Sequence, residues 1–375
     1  MLAVAAATFG CGRSSFRGDK LAILPFENLS GDPAFDRFAA PAQAALGFAT
    51  GSRIVVSTLP DAYLAGAATV AYGTITRPGN GRLKVAWDLF TAPGNKRISS
   101  SQAEGPESAG VFPLVELLAR GVVPAAKSLS SIKPETLNLW AEVLNAPNAN
   151  EVKPRCKQLL DADPSFSPGY MNCLAGLANT SGPAEVKDLI DRALPNRNTL
   201  DAGAQLALGD AAFRTGRLQA ANQFLRGGVA SDPNAWNQIG YCEVMLGNLP
   251  EAVKALEQYR RLSGQEANAI DSLGEIHFIA GKYTEAGKYF VEGAEKFPDF
   301  REGRDGLKAA AMRLLSGDRK GADEMVKKNF DAGKKAGSDS AGILQVWTLI
   351  SAEQDPAKIR ERVTQTLIAL PQKSD

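Results

Sequence analysis

The hydrophobic pattern of this chain changes character near residue 130. Before that point apolar residues come in short runs of strand length, and after it they recur at helical intervals to the end. Lys20 to Phe26 (KLAILPF) is an apolar run closed by Pro25 and the turn-rich Asn28-Leu29-Ser30-Gly31-Asp32-Pro33, which predicts a buried strand leaving into a loop. Ala34 to Ala49 places Phe35, Phe38, Ala42, Ala45, Leu46 and Ala49 at helical spacing with Gly51 as a stop. Pro41 in its middle predicts a kink or two pieces. Arg53 to Ser57 reads as a second strand and Asp61 to Ala68 as a short helix. Thr69 to Thr76 then leads through Pro78-Gly79-Asn80-Gly81 into Leu83 to Phe90, and that strand leads through Pro93-Gly94-Asn95 into Arg97 to Gln102. Asn-Gly between β-branched or aromatic runs predicts a tight hairpin, because both central turn residues tolerate positive φ. A helix over Ser108 to Ser128 completes an α/β unit with a hairpin-bearing mixed sheet, bounded at 20–130.

From Pro134 to the end (134–375) a pair of helices recurs. Gly240 and Gly274 are 34 residues apart, as are Gly247 and Gly281, and Ala252 and Ala286. A small residue in the first helix lets the second approach closely. A glycine ends the first helix where a left-handed conformation is needed, and an alanine sits at the crossing. Gln205 to Gly228 repeats the theme with Gly209, Gly216, Ala221 and Leu225. Tyr170 to Leu194 and Leu137 to Pro164 are weaker units, and Ala341 to Ser351 with Pro356 to Leu370 forms a final pair. In Arg304 to Asn329, Gly317 and Ala322 fall two residues late, which predicts an enlarged turn between its two helices. The expected fold is therefore a two-part α+β chain, a small α/β domain followed by an all-α solenoid of about seven helix pairs.

The 34-residue period with these small-residue positions resembles the tetratricopeptide repeat. In such arrays the first helix of each pair lines a concave face. Its non-packing positions here are Leu206, Asp210, Phe213 and Arg214, then Asn237, Tyr241, Val244 and Met245. The next helices add Asp271, Glu275, Phe278 and Ile279, then Asp305, Ala309 and Met312. As a partner-binding groove, Phe213, Arg214, Asn237, Tyr241, Met245, Asp271, Glu275, Phe278 and Met312 suit an extended or helical peptide with apolar anchors. The competing reading is that the apolar members pack against neighbouring repeats. Separately, ILPFENLSGDP (Ile23 to Pro33) followed by helix, strand and hairpin is similar to the TolB-type N-terminal domain of bacterial envelope proteins. That resemblance implies an interaction or sensory module with no catalytic residues. A sensory alternative has the α/β domain binding a small ligand beside Glu27 and Asn28.

Composition narrows the chemistry. With 42 Lys and Arg against 41 Asp and Glu, no general nucleic-acid or membrane-surface binder is indicated. The single histidine, His277, excludes sites needing two, and Cys11, Cys156, Cys173 and Cys242 show no CxxC spacing, so no metal or other cofactor is expected. Nucleotide-binding and nucleophile-elbow motifs are missing, so the expectation is a binding protein without catalytic residues, its partner another protein. Cys156 and Cys173 fall on stacked helices in the repeat register, either as a disulfide or as two buried thiols. Leu2 to Gly10 abuts Cys11, which resembles a bacterial lipoprotein signal with Cys11 as the lipidated residue, residues 1–19 then serving as signal and tether. That places the protein lipid-anchored at the cell envelope, facing the periplasm. A buried or frayed segment of a cytoplasmic protein is the alternative.

Overall fold

The computed structural model describes residues 21–52, 54–92, 94–123, 126–178, 183–335 and 341–368. The chain divides into two compact units, Met1–Thr180 and Ser181–Asp375. The expected boundary near 130–134 thus falls inside the first unit, which carries the α/β domain and the first three repeat helices.

The sheet of unit 1 contains β1 (Leu21–Ile23), β2 (Glu27–Asn28), β3 (Ile54–Val55), β4 (Thr69–Gly79), β5 (Arg82–Thr91) and β6 (Arg97–Pro106). Its order is β3-β1-β4-β5-β6, with β2 also paired to β4. β1 and β2 run parallel to β4, while β4, β5 and β6 form an antiparallel meander. At the β4–β5 turn Asn80 and Gly81 have φ of 53° and 66°, the two positive values the Asn-Gly pair predicts. Leu83, Val85, Trp87 and Leu89 alternate into the core. Gly73 answers a steric demand: a Cβ there would stand 2.4 Å from the Phe26 ring.

Helices α1 (Ala39–Thr50), α2 (Leu59–Leu64) and α3 (Phe112–Val122) complete the domain. The two-piece expectation for the first helix is met by a 3-10 turn over Pro33–Phe38, after which α1 begins. Pro41 consequently lies in the first turn of α1, where a missing N–H costs nothing. The third layer is α4 (Pro134–Leu144), followed by α5 (Ala149–Ala162) and α6 (Ser167–Ala178). Trp140 of α4 is buried, stacks on Phe112 of α3 at 5.9 Å and meets Phe48 of α1 and Phe166 edge-on. Its indole N–H donates to Asn172 Oδ1 at 2.8 Å, so burial leaves no polar atom stranded. Asn145 at the end of α4 donates to Arg37 O at 2.9 Å. Cys156 of α5 and Cys173 of α6 form a disulfide with Cα atoms 5.8 Å apart.

Unit 2 is helical: α7 (Pro183–Ala193), α8 (Ala202–Arg214), α9 (Leu218–Gly228), α10 (Ala235–Met245), α11 (Leu249–Ser263), α12 (Glu266–Ile279), α13 (Tyr283–Lys296), α14 (Arg304–Leu315), α15 (Arg319–Lys335), α16 (Ala341–Ser351) and α17 (Pro356–Thr366). From α4 to α17 fourteen helices are described, α4–α6 in unit 1 and α7–α17 in unit 2. Four of the turns share one hydrogen-bond pattern. After α10, Leu246 donates to Cys242 O, Gly247 to Val244 O and Asn248 to Glu243 O. The same three bonds recur after α8, α12 and α14 around Gly216, Gly281 and Gly317, each glycine at positive φ. The turn after α14 is thus of ordinary length, contrary to the expected enlargement. The two extra residues instead lie ahead of α14, in the 297–303 segment with its 3-10 turn at Phe300–Gly303.

Because Trp140 joins α4 to α1 and α3, Trp140→Ala should cost about 3–5 kcal/mol in chemical denaturation. It should also speed amide exchange in α1 and α3. Faster exchange confined to α4–α6 would mean that α4 is not part of the domain core.

Candidate functional site

The shared turns set which residues of successive first helices are equivalent. Counting back from Gly247, Gly281 and Gly317 aligns Asn237, Asp271 and Leu307; Tyr241, Glu275 and Ala311; Val244, Phe278 and Leu314; and Met245, Ile279 and Leu315. Met312, expected in the groove by a uniform 34-residue step, is instead the equivalent of Cys242 and Ile276. It is 1 % exposed and faces Gly287 of α13, so it packs between helices and does not line the concave face. Asp305 and Ala309 shift in the same way.

The concave positions fall into two groups. On α8 and α10 most keep solvent contact: Phe213, Asn237, Tyr241 and Met245 are partly buried and Arg214 is exposed, while Val244 is buried. Arg214 pairs with Asp210 at 2.8 Å, and Gln238 donates to the other oxygen of Asp210 at 2.9 Å. Among the described residues Asn237 Oδ1, although buried, accepts no hydrogen bond. That leaves an amide acceptor free on the face to which the repeat register also assigns Phe213 and Met245.

On α12 and α14 the positions are closed apart from Ile279, which is partly buried. Phe278 is 0 % exposed, shares one core with Leu314, Leu315, Ile359, Val363, Leu367 and Ile368, and lies under the Arg360 guanidinium at 5.6 Å. Asp271 and Glu275 sit in an interior charge cluster. Lys308 Nζ donates to Asp271 Oδ1 and, at 2.7 Å, to Glu275 Oε1. Arg301, half exposed, reaches Asp271 Oδ2 at 3.1 Å. The Tyr241 hydroxyl donates to Glu275 Oε2. Burial first, and the Glu275 charge next, push the Tyr241 phenol well above its ordinary value, so it remains a donor. These two carboxylates are therefore spent on the chain's own cation and phenol. The reading that offered Asp271, Glu275 and Phe278 to a partner is corrected by this burial.

Asp305, also 1 % exposed, adds a third carboxyl. Two carboxylates have no donor between them: as an anion Asp305 finds no hydrogen bond for either oxygen among the described residues, and Asp271 Oδ2 has the Arg301 ion pair but no hydrogen bond. Burial, reinforced by the Asp271 charge, pushes the Asp305 carboxyl up to about 7 against the pull of Lys308. A proton on Asp305 converts the repulsion into an O–H···O bond to Asp271. One pair over, Glu243 behaves oppositely. Burial alone would raise it, but hydrogen bonds from Arg226, Asn222 and Asn248 hold its carboxyl below the ordinary value and pin α9 to α10.

The remaining candidates are structural. His277 Nδ1 donates to Leu273 O at 2.7 Å and its ring leans on Tyr289, which is a satisfied helix-surface histidine. Cys242 is buried, and burial pushes its thiol up to about 12, which removes thiolate chemistry. Asn28 spends both ends of its carboxamide inside its own loop, accepting from Ser30 N and donating to Asp32 O and Asp36 Oδ1. Glu27 beside it is exposed. Among the described residues no group of three or more His, Cys, Asp or Glu is placed to hold a metal, and no helix is long and apolar enough to cross a membrane. Cys11 lies outside the described residues.

The tetratricopeptide repeat family model matches residues 186–235, 206–268 and 238–299. Among curated proteins none matches the chain. Solved structures similar to parts of it include MamA, at 23% identity over 40% of this chain and 88% of that one, with a TM-score of 0.32. YrrB, described as a TPR protein with an unusual peptide-binding site, is 17% identical over 47% and 91%, with a TM-score of 0.34. The PelC dodecamer from Paraburkholderia phytofirmans is 16% identical over 32% and 98%, with a TM-score of 0.26. The chain carries tetratricopeptide repeats, and such arrays are protein-binding scaffolds.

The Asp305 proton stabilises the fold fully below the ordinary carboxyl range, and this contribution is lost as pH rises through about 7. Asp305→Asn keeps the neutral form at every pH. The melting temperature of the variant minus that of the parent should therefore grow between pH 5 and pH 8. A difference that stays flat would contradict the assignment.

Proposed function

We propose that this chain is a non-enzymatic scaffold of the bacterial cell envelope that holds a peptide or helix of another protein on the concave face of α8 and α10. The observation that carries the reading is Asn237 Oδ1, a buried acceptor without a bond among the described residues, on the face to which the repeat register also assigns the partly buried Phe213 and Met245. A bound backbone N–H would satisfy that oxygen, while apolar side chains of the partner settle on Phe213 and Met245. Arg214 and Asp210 at the rim set orientation more than affinity.

The envelope location is supported by the Gly10-Cys11 sequence and by the resemblance of Ile23 to Pro33 to the TolB-type domain. A disulfide between Cys156 and Cys173 agrees with an oxidising compartment. On this reading the acyl chains on Cys11 tether the protein, and the α/β domain follows the anchor in sequence.

The test compares capture by the parent chain with capture by Phe213→Ala/Met245→Ala, both recovered from membranes. Loss of two apolar anchors should weaken the specific partner by about 100-fold or more, at roughly 1.4 kcal/mol per ten-fold. Helix content should be unchanged. A partner retained equally by both would remove the groove assignment. Intact-mass analysis should show a chain beginning at a diacylated Cys11, and an unmodified N-terminus would remove the anchor.

A further inference from the structure

The closed half of the groove is closed by the chain itself. In a regular repeat pair the second helix packs on its own first helix and keeps clear of the preceding pair's concave side. α17 departs from that rule, since it packs on α14 as well as on α16. Ile359, Val363 and Leu367 share a core with Leu314 and Leu315, the concave positions of α14, and with Phe278, the concave position of α12.

The polar contact is equally specific. The turn after α12 satisfies three of its last carbonyls: Ile276 O accepts from Ala280, His277 O from Lys282 and Phe278 O from Gly281. Ile279 O is left over, and Arg360 Nη2 donates to it at 3.0 Å while its guanidinium lies on the Phe278 ring. A cation at a helix C-terminus interacts well with both the orphan carbonyl and the helix dipole. Four side chains thus act together: apolar residues at i, i+4 and i+8, and an arginine at i+1 that caps α12.

We infer that the concave face of α12 and α14 is a helix-binding surface, with α17 as its resident occupant. Its external partner is a helix with α17's chemistry: three apolar residues on one stripe and an arginine one position after the first. Such a helix binds by displacing α17. This inference rests on the scaffold reading above but concerns the other half of the groove. The resident is suited to displacement, because α17 has eleven residues and only Ile359 and Val363 of them are buried. A helix that short has little stability of its own.

The test uses the full chain and a fluorescent peptide of residues 355–368 (DPAKIRERVTQTLI). An open site pays no competition from the resident, and apparent Kd is the intrinsic Kd divided by the open fraction. Full-length Ile359→Ser/Val363→Ser should therefore bind the peptide at least roughly ten-fold tighter than the parent does. The same peptide carrying alanine in place of Arg360 should lose most of that gain. Equal binding by parent and variant, or none by either, would overturn the inference. Should the variant fail to fold, amide exchange in the parent decides: α17 exchanging well ahead of α14 supports a displaceable occupant, and equal protection overturns it. Because the peptide belongs to this chain, its result does not depend on any outside partner of α8 and α10.

Discussion

The regular part of the array depends on the absence of a Cβ at one position in α8, α10 and α12. A Cβ on Gly209 would stand 2.8 Å from Leu225, one on Gly240 2.8 Å from Leu256, and one on Gly274 2.5 Å from Phe290. No side chain fits there, so the two helices of a pair meet at backbone distance and their register is locked. The three-residue turn with its left-handed glycine follows from that register, and so does the choice of residues turned to the concave face. In α14 the glycine is replaced by Ala310, fully buried, which keeps the small-residue rule with one methyl more.

Register also explains which parts of the molecule were legible in the residues and which were not. Local rules were enough for the Asn80–Gly81 hairpin, the alternating strand core and the glycine turns, because each is decided by conformations available to one or two residues. The two residues gained before Gly317 were visible as a spacing anomaly. Their location was not, since a longer A–B turn and a longer inter-pair segment give the same count. Placing them before α14 moves Met312 into the helix packing and brings Lys308 opposite Asp271 and Glu275. Trp140 was hidden for a different reason: its partners Phe48 and Phe112 lie far away in sequence, and a helical period does not report which surface it meets.

The candidate groove positions divide by whether the chain itself covers them. The concave positions on α8 and α10 follow from the repeat register alone. On α12 and α14 the same rule named positions that the chain fills from within, by Lys308 for the carboxylates and by α17 for Phe278. The two fillings have separate logic. A buried carboxylate needs a cation whether or not a partner exists, and Lys308 supplies it at 1 % exposure. The cover of Phe278 is a packing solution that another helix could reproduce.

The central claim is that the open face of α8 and α10 is where this protein meets its partner. Site-specific photocrosslinking tests it most directly, with the photoreactive residue placed at Phe213 and, as a control on the outer helices, at exposed Glu257 of α11. The account predicts a crosslinked partner from position 213 and none from 257. Crosslinking from 257 alone would contradict it.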